Sequence, residues 1–304
     1  MGFIQALLPV FLLILLGHLL RRASFPDANF WAGAERFTYY VLFPAMLVFK
    51  LGSADVPHSI YAQTGVLILA MVLVMAALLV MMQWLIRWPG AVFTSVFQGG
   101  IRFNSYVGLA AAASLYGEGA LSVTAVAVAI MVPILNVICI LVFSIYASES
   151  QINVRAVAYS IVSNPLILGS LGGVFISYFS IGFHPLVAGV IQPLSNLALP
   201  LGLMTVGAGL QLKALRRAST SFLAASAVKL VLFPLVTAGL CMALGIGGTM
   251  AQVAVLLASL PTASSAFILA RQLGGDAPLM AAIISGQTLL AMLTMPLMLG
   301  LLAQ

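Results

Sequence analysis

Ten runs of apolar residues, each long enough to cross a membrane as a helix, follow one another along this chain with short connectors between them. A spanning α-helix needs about 20 predominantly apolar residues. The runs cover residues 3–20, 29–51, 62–86, 91–116, 120–147, 156–179, 185–211, 221–244, 249–272 and 278–302. Only 6% of the residues are charged, whereas soluble domains carry about 25%. The sequence therefore predicts an all-α integral membrane protein that sits in the lipid bilayer, with ten transmembrane helices and no folded soluble domain.

Proline and glycine residues recur at matching places in the two halves of the chain. The pairs that lie 156 residues apart are Pro9 and Pro165, Gly17 and Gly173, Gly33 and Gly189, and Pro44 and Pro200. Helix breakers repeated in two hydrophobic halves are typical of transporters built from internal repeats. Because each half holds an odd number of runs, the second half enters the membrane upside down. We therefore expect two inverted five-helix repeats, over residues 1–148 and 156–304, joined by a cytoplasmic connector over 149–155.

Basic residues gather in alternate connectors. With the N-terminus outside, the external connectors hold only Lys50, and the cytoplasmic ones hold eight basic residues, namely Arg21, Arg22, Arg87, Arg155, Lys213, Arg216, Arg217 and Arg271. Cytoplasmic connectors are the ones enriched in Lys and Arg. We therefore expect a multi-pass protein of the cell inner membrane with both termini on the external, periplasmic side. Because the basic residues lie at span ends, the pI of about 9.6 does not indicate a nucleic-acid partner.

The fourth and ninth runs are polar near their centres and occupy equivalent positions in the two repeats. At an offset of 158 residues, Phe103-Asn104 corresponds to Pro261-Thr262. A proline interrupts a helix, and the carbonyls it frees must face protein or a water-filled cavity. If both helices break and cross, their positive N-terminal half-helix ends point into a cavity and favour an anion. The predicted substrate-binding residues are Arg102, Asn104, Ser105, Pro261, Thr262, Ser264 and Ser265.

Further candidates are polar and charged residues inside other runs. Ionisable residues within a membrane are costly and indicate function. Lys229, in the eighth run, is predicted to supply positive charge to the substrate cavity, with a structural role as the open alternative. No Asp or Glu lies near the middle of a run, and no metal cluster is visible. A sodium ion needs only oxygen ligands, so Gln98 and Gln287 are candidate ligands for one. We expect no organic cofactor, and Na⁺ or H⁺ stays open as the coupling ion.

An enzyme is not expected, because no nucleophile–base set or metal cluster is present in the sequence. An ATP-driven pump is disfavoured, because the chain has no GxxxxGK[ST] phosphate-binding loop. The preferred hypothesis is a secondary active transporter, or carrier, for small organic anions such as carboxylates or dicarboxylates. An ion- or solute-conducting channel, or a uniporter without ion coupling, is the alternative.

At these residues the chain resembles the auxin efflux carrier family, which lies within the superfamily of bile acid/sodium symporters. In the ninth and tenth runs the resemblance rests on Leu260-Pro261, Phe267, Ala270-Arg271, the stretch 283–286 and Pro296-Leu297. The phrases Arg102-Phe103-Asn104-Ser105-Tyr106 and Ser163-Asn164-Pro165-Leu166 resemble the bacterial branch.

The resemblance covers nearly the whole chain and implies a fold as well as a function. It implies a scaffold domain made of spans one, two, six and seven, and a transport domain made of the other six. It also implies that spans four and nine are broken, cross each other and form the substrate site. Members of the family move small organic anions, including indole carboxylates in plants and dicarboxylates such as malonate in some bacteria. A homodimer through the scaffold helices is a further expectation.

Overall fold

In the computed structural model, residues 2–54, 58–147, 163–217 and 219–302 are described, and every regular element among them is a helix. The α-helices are α1 (Phe3–Arg22), α2 (Ala28–Phe37), α3 (Phe43–Gly52), α4 (His58–Ile86), α5 (Gly90–Ile101), α6 (Ser105–Tyr146), α7 (Pro165–Tyr178), α8 (Pro185–Ala208), α9 (Thr220–Ala227), α10 (Phe233–Ala243), α11 (Gly248–Ser259), α12 (Ser265–Gln272) and α13 (Ala277–Leu302). The backbone of Gly117 is not helical (φ 79°, ψ −170°), so α6 consists of two helices that meet at a kink there. Leu212–Arg217 forms a 3₁₀-helix. The predicted all-α fold is confirmed, whereas the predicted connector 149–155 lies outside the described residues.

Six helical stretches of the described chain are long and apolar enough to cross a membrane. They are Phe3–Arg22, Gln63–Ile86, Gly90–Tyr146, Pro185–Ala208, Thr220–Ala243 and Ala277–Leu302, of which the third holds both α5 and α6. One face of α1 exposes large apolar side chains at helical spacing, as expected where a helix meets lipid: Ile4, Leu8, Leu12, Leu15 and Leu19. The chain is therefore a multi-pass membrane protein, and the arrangement as ten inverted spans stays a prediction.

Two membrane helices contain a π-helical turn directly before a Phe-Pro pair. Thr38–Leu42 joins α2 to α3, and Val228–Leu232 joins α9 to α10. The sequence Val-Leu-Phe-Pro occurs at both places, over residues 41–44 and 231–234. Proline has no N–H for the carbonyl four residues before it, and its ring clashes with that carbonyl. The wider turn relieves the clash, because the N–H of the phenylalanine bonds to the carbonyl five residues earlier.

The first compact unit of the chain comprises Met1–Gly65, Leu109–Ile130 and Ala158–Gly209. Its helices come close together at glycine residues. Gly17 of α1 faces the backbone of Met204 in α8, and Gly173 of α7 faces the backbone of Leu47 and Val48 in α3. A side chain at either glycine would overlap that backbone, so the small residues allow the close packing. The 156-residue offset of the repeat relates the contact of Gly17 with Met204 to that of Gly173 with Val48.

The second compact unit comprises Val66–Gly108, Met131–Val157 and Leu210–Gln304. Its apolar core includes buried side chains from α5, α9, α12 and α13, among them Val96, Phe222, Ala266 and Ile283. The two units divide the helices as the resemblance implies for a scaffold and a transport domain, except that residues 109–130 fall in the first unit. Both interruptions of the fourth and ninth runs lie in the second unit.

One end of the second unit brings several connectors together. The N–H of Asp276 donates to the carbonyl of Ala91 at 3.0 Å, and Gly90 lies against the backbone of Tyr146. The 3₁₀-helix Leu212–Arg217 packs on the first half of α13, where Leu215 contacts the same apolar cluster as Trp88 and the N–H of Gln211 donates to Ser285 Oγ at 2.9 Å. The basic residues next to these contacts are Arg87, Lys213 and Arg216.

Candidate functional site

Two helix interruptions meet in the second unit. Residues 102–104 separate α5 from α6 with an extended backbone, and residues 260–264 separate α11 from α12. The N–H of Asn104 donates to the carbonyl of Pro261 at 2.8 Å, so the two interruptions touch. We call the segments 102–104 and 260–264, together with the helix ends that flank them, the crossover.

Asn104 shapes the interruption of the fourth run, which contains no proline. Its Oδ1 accepts the N–H groups of Tyr106 and Val107 at 3.1 and 3.3 Å and so caps the N-terminus of α6. Asparagine is among the preferred N-capping residues, because its side chain satisfies amides that have no partner within the helix. The side chain is buried, and its capping role is structural.

Thr262 and Gln287 hold the buried side of the crossover. Thr262 Oγ1 donates to the carbonyl of Gly99 at 2.8 Å, and the N–H of Thr262 donates to Gln287 Oε1 at 3.0 Å. Gln287 Nε2 donates to the same Gly99 carbonyl at 2.9 Å and to that of Ala225 at 3.3 Å. Both Thr262 and Gln287 are fully buried. One amide of α13 therefore connects the end of α5, the ninth-run interruption and α9.

Lys229 approaches the crossover from the π-helical turn Val228–Leu232 and is 0% exposed. Its Nζ lies 3.4 Å from the carbonyl of Leu257, in the last turn of α11, and 4.4 Å from the centroid of the Phe233 ring. A cation over an aromatic face is stabilised, and more strongly where water is excluded. These contacts bring Lys229 to the carbonyl end of α11. Its predicted contact with substrate stays a prediction.

The remaining predicted residues lie on a more accessible side of the crossover. Arg102 is half-buried, and its Nη2 donates to Ser265 Oγ at 3.2 Å. Ser265 is exposed at the start of α12, while Ser105 and Ser264 are half-buried at the starts of α6 and α12. No side chain caps α12, whereas Asn104 caps α6. The positive end of α12 and the Arg102 guanidinium therefore lie close together, a combination that attracts anions.

A family model described as "Membrane transport protein" matches residues 2–299. The chain belongs to this family. The resemblance to auxin efflux carriers is thereby confirmed, and the protein is a membrane transporter rather than an enzyme. The chain is also similar to a protein of Rhizobium meliloti (strain 1021) named "Putative malonate transporter", with 34% identity over 122 residues. That match spans 39% of this chain and 37% of the relative, so the chain covers well under two thirds of the relative's length.

The two predicted sodium ligands of the transporter lie in different surroundings. Gln287 uses both of its polar side-chain atoms on backbone groups. Gln98 is fully buried, its Nε2 lies 3.5 Å from the Ala266 carbonyl, and its Oε1 has no hydrogen-bond partner among the described residues. Within the same residues, no three His, Cys, Asp or Glu side chains come together as a metal site. A sodium ion at Gln98 stays a prediction.

Sequence reasoning missed the bracing role of Gln287 in the transporter and the π-helical turn that carries Lys229. Gln287 is a single amide in an apolar run, and its partners lie 188, 62 and 25 residues away in the chain, so no local pattern reveals them. The π-helical turn does have a signal. The repeated phrase Val-Leu-Phe-Pro marks both turns, and its proline gives the physical reason.

Proposed function

We propose that the protein is a secondary carrier of small organic anions, carboxylates or dicarboxylates, that works by alternating access. The observation that supports the anion most directly is the pairing of Arg102 Nη2 with Ser265 Oγ at 3.2 Å. It brings a permanent positive charge to the uncapped N-terminus of α12. A carboxylate there would accept charge-assisted hydrogen bonds from the guanidinium, which are the strong kind, and would lie at the positive end of the helix.

The crossover supports a carrier more than an enzyme or a simple pore. Broken helices that meet within a membrane are typical of carriers, whose substrate lies between half-helix ends. The irregular backbone there is tolerated because its polar groups are bonded within the protein, as the Asn104 N–H is to the Pro261 carbonyl. Ser105 and Ser264, at the starts of the two second half-helices, complete our proposed substrate site with Arg102 and Ser265.

Malonate is the first substrate to test. The relative from Rhizobium meliloti carries malonate in its name, although the match covers only 37% of that protein. A dicarboxylate also suits the proposed site, because one carboxylate can meet Arg102 while the other lies beside the serines at the helix ends. We propose malonate or a similarly short dicarboxylate on these grounds.

The decisive experiment is counterflow in proteoliposomes. Vesicles loaded with unlabelled malonate should accumulate labelled malonate transiently above its external concentration, because a carrier exchanges substrate across the membrane. Acetate and succinate, tested in the same vesicles, would define the preferred number and spacing of carboxylates. A channel would equilibrate the label without accumulation, which would contradict the carrier mechanism. Absence of any malonate flux or malonate-induced thermal stabilisation would contradict this substrate.

We propose that the carrier lies in the cell inner membrane with both termini on the external side. The basic residues Arg87, Lys213 and Arg216 lie beside connectors that meet at one end of the second unit. Lys and Arg are enriched on the cytoplasmic side, which supports that end as the cytoplasmic one. A homodimer through the helices of the first unit is part of the same proposal, and crosslinking of the purified protein tests it.

A further inference from the structure

The two half-helices that run into the crossover both end in carbonyls that receive donors from this chain. In α5, the Gly99 carbonyl accepts Thr262 Oγ1 at 2.8 Å and Gln287 Nε2 at 2.9 Å. In α11, the Leu257 carbonyl accepts Lys229 Nζ at 3.4 Å. Gly99 and Leu257 are related by the same 158-residue offset that relates Asn104 to Thr262. Equivalent carbonyls of the two repeats thus accept hydrogen bonds from different donors: a hydroxyl and an amide at Gly99, and an amine at Leu257.

Such carbonyl ends need a partner for a physical reason. The last carbonyls of a helix have no N–H partner within the helix, and together they carry a partial negative charge. Leaving such a group unpaired where water is excluded destabilises the fold, because the hydrogen bond it made with water is not replaced. A bound cation is one way to satisfy a carbonyl end, and a donor from the chain itself is another.

The structure holds Lys229 in position to act as such a donor from the chain itself. The π-helical turn Val228–Leu232 carries it, and that turn is imposed by Pro234. The Phe233 ring, 4.4 Å from Nζ, supports the amine from a second direction. The side chain is fully buried. Because a lysine amine donates hydrogen bonds in both of its protonation states, its contact with Leu257 does not depend on its charge.

We propose that Lys229 is a positioning residue that closes the carbonyl end of α11 in the place of a dissociable cation. The crossover of this transporter therefore needs no sodium ion to hold its ninth-run half-helix in position. The inference rests on the proposed function in one respect, namely that the crossover is the transport site.

The test is the response of thermal stability to the cation present. The purified full-length protein is melted in sodium, lithium, potassium or choline chloride at equal ionic strength. The difference between cations in the wild type is the reference, because a sodium ion at Gln98 would contribute to it equally in every variant. Lys229→Ala is expected to melt at a lower temperature in choline and to regain about 2 °C or more in sodium or lithium, because a small cation can then occupy the vacated carbonyl end.

A second variant and a control keep the result specific. Lys229→Gln supplies an amide donor at the same place, so it is expected to recover part of the lost melting temperature in choline as well. Lys213→Ala removes a lysine that is exposed on the 3₁₀-helix Leu212–Arg217 and should respond to the four cations as the wild type does. If Lys229→Ala yields no folded protein, Lys229→Gln carries the same comparison, with a smaller sodium response expected.

Two results would overturn the inference. One is a folded Lys229→Ala that melts at the wild-type temperature in choline, because the carbonyl end of α11 would then need no donor. The other is a folded Lys229 variant that no cation stabilises. Malonate-induced stabilisation of the wild type, measured in choline, is a separate arm that tests the proposed substrate. Its failure would count against malonate transport and leave the role of Lys229 untouched.

Discussion

The two interruptions of the crossover differ in both of their helix ends. At the fourth run, Asn104 caps the N-terminus of α6, and two neutral donors close the Gly99 carbonyl. At the ninth run, α12 has no side-chain cap, and Lys229 closes the Leu257 carbonyl. Only the ninth run contains a proline at its interruption. A helix can therefore be interrupted without a proline, provided that a capping residue and donors from other helices satisfy the backbone groups at the interruption.

The difference also explains where an anion is expected to bind. Asn104 occupies the positive end of α6 with its own Oδ1, so this end has little attraction left for a substrate. The positive end of α12 is uncapped, and Arg102 of the other interruption reaches it through Ser265. One copy of the repeat thus supplies the open helix end, and the other supplies the charge.

The largest effect is expected from Gln287→Leu, because this residue serves both interruptions. The substitution removes the partner of the Thr262 N–H, while the Gly99 carbonyl keeps its bond to Thr262 Oγ1 and the Ala225 carbonyl keeps that of the Val228 N–H. A buried polar group without a partner costs about 1–3 kcal/mol, so we expect a loss of roughly 1–3 kcal/mol in the free energy of unfolding. Transport is expected to be abolished. Thermal melting and malonate uptake measure the two effects.

Gln83→Leu is the matched control for that variant. Gln83 also uses both polar atoms of its amide on backbone groups, the carbonyl and N–H of Trp88 at 2.9 and 3.1 Å, but it lies at the end of α4 and away from the two interruptions. We expect a modest loss of stability and retained uptake. Equal transport in Gln287→Leu and Gln83→Leu would contradict the bracing role of Gln287.

Arg102→Gln tests the link between the two interruptions. The variant keeps a hydrogen-bond donor near Ser265 and removes the positive charge, so the affinity for an anion should fall while folding is preserved. Hydrogen bonds to charged groups contribute about 1.5–3 kcal/mol, which predicts a KM for malonate raised roughly 10- to 150-fold.

Arg271→Gln is the control for Arg102, because Arg271 lies in the last turn of the same helix, α12, and is exposed. Its KM should stay near that of the wild type. A KM unchanged in Arg102→Gln, or raised equally in both variants, would remove the support that Arg102 gives to an anion site.

Asn104→Ala and Asn164→Ala compare two caps of the same kind in different units. Asn164 Oδ1 accepts the N–H groups of Leu166 and Ile167 at 2.9 and 3.4 Å, much as Asn104 does at α6. Losing such a cap costs about 1 kcal/mol, so both variants should melt slightly below the wild type. Only Asn104→Ala should lower malonate uptake, because it alone loosens the crossover. Equal uptake in the two variants would assign Asn104 a purely local role.

Much of the fold could be predicted from the sequence, because helices that span a membrane require long apolar runs, and most of the basic residues lie in the short connectors. An interruption at Asn104 could also be predicted, since a polar residue of the type that caps helices lies within an otherwise apolar run and matches Thr262 in the repeat. The bracing by Gln287 could not be predicted, because its partners are backbone groups that only the tertiary fold brings near. The contact of Lys229 with Leu257 depends on the π-helical turn. The Val-Leu-Phe-Pro motif indicates that turn but not the direction in which the Lys229 side chain points.

Pro261→Ala is expected to have the smallest effect. The carbonyl of residue 261 still accepts the Asn104 N–H, and Thr262 still anchors the segment to Gly99 and Gln287. The new N–H follows the extended backbone of Leu260 and adds one donor outside the helical geometry of α11, so we expect a change in stability of about 1 kcal/mol. At the fourth run the equivalent residue, Phe103, has its N–H and the interruption persists. Uptake should therefore remain near the wild-type level, and a folded Pro261→Ala without transport would show that proline, rather than hydrogen bonding, holds the ninth-run interruption open.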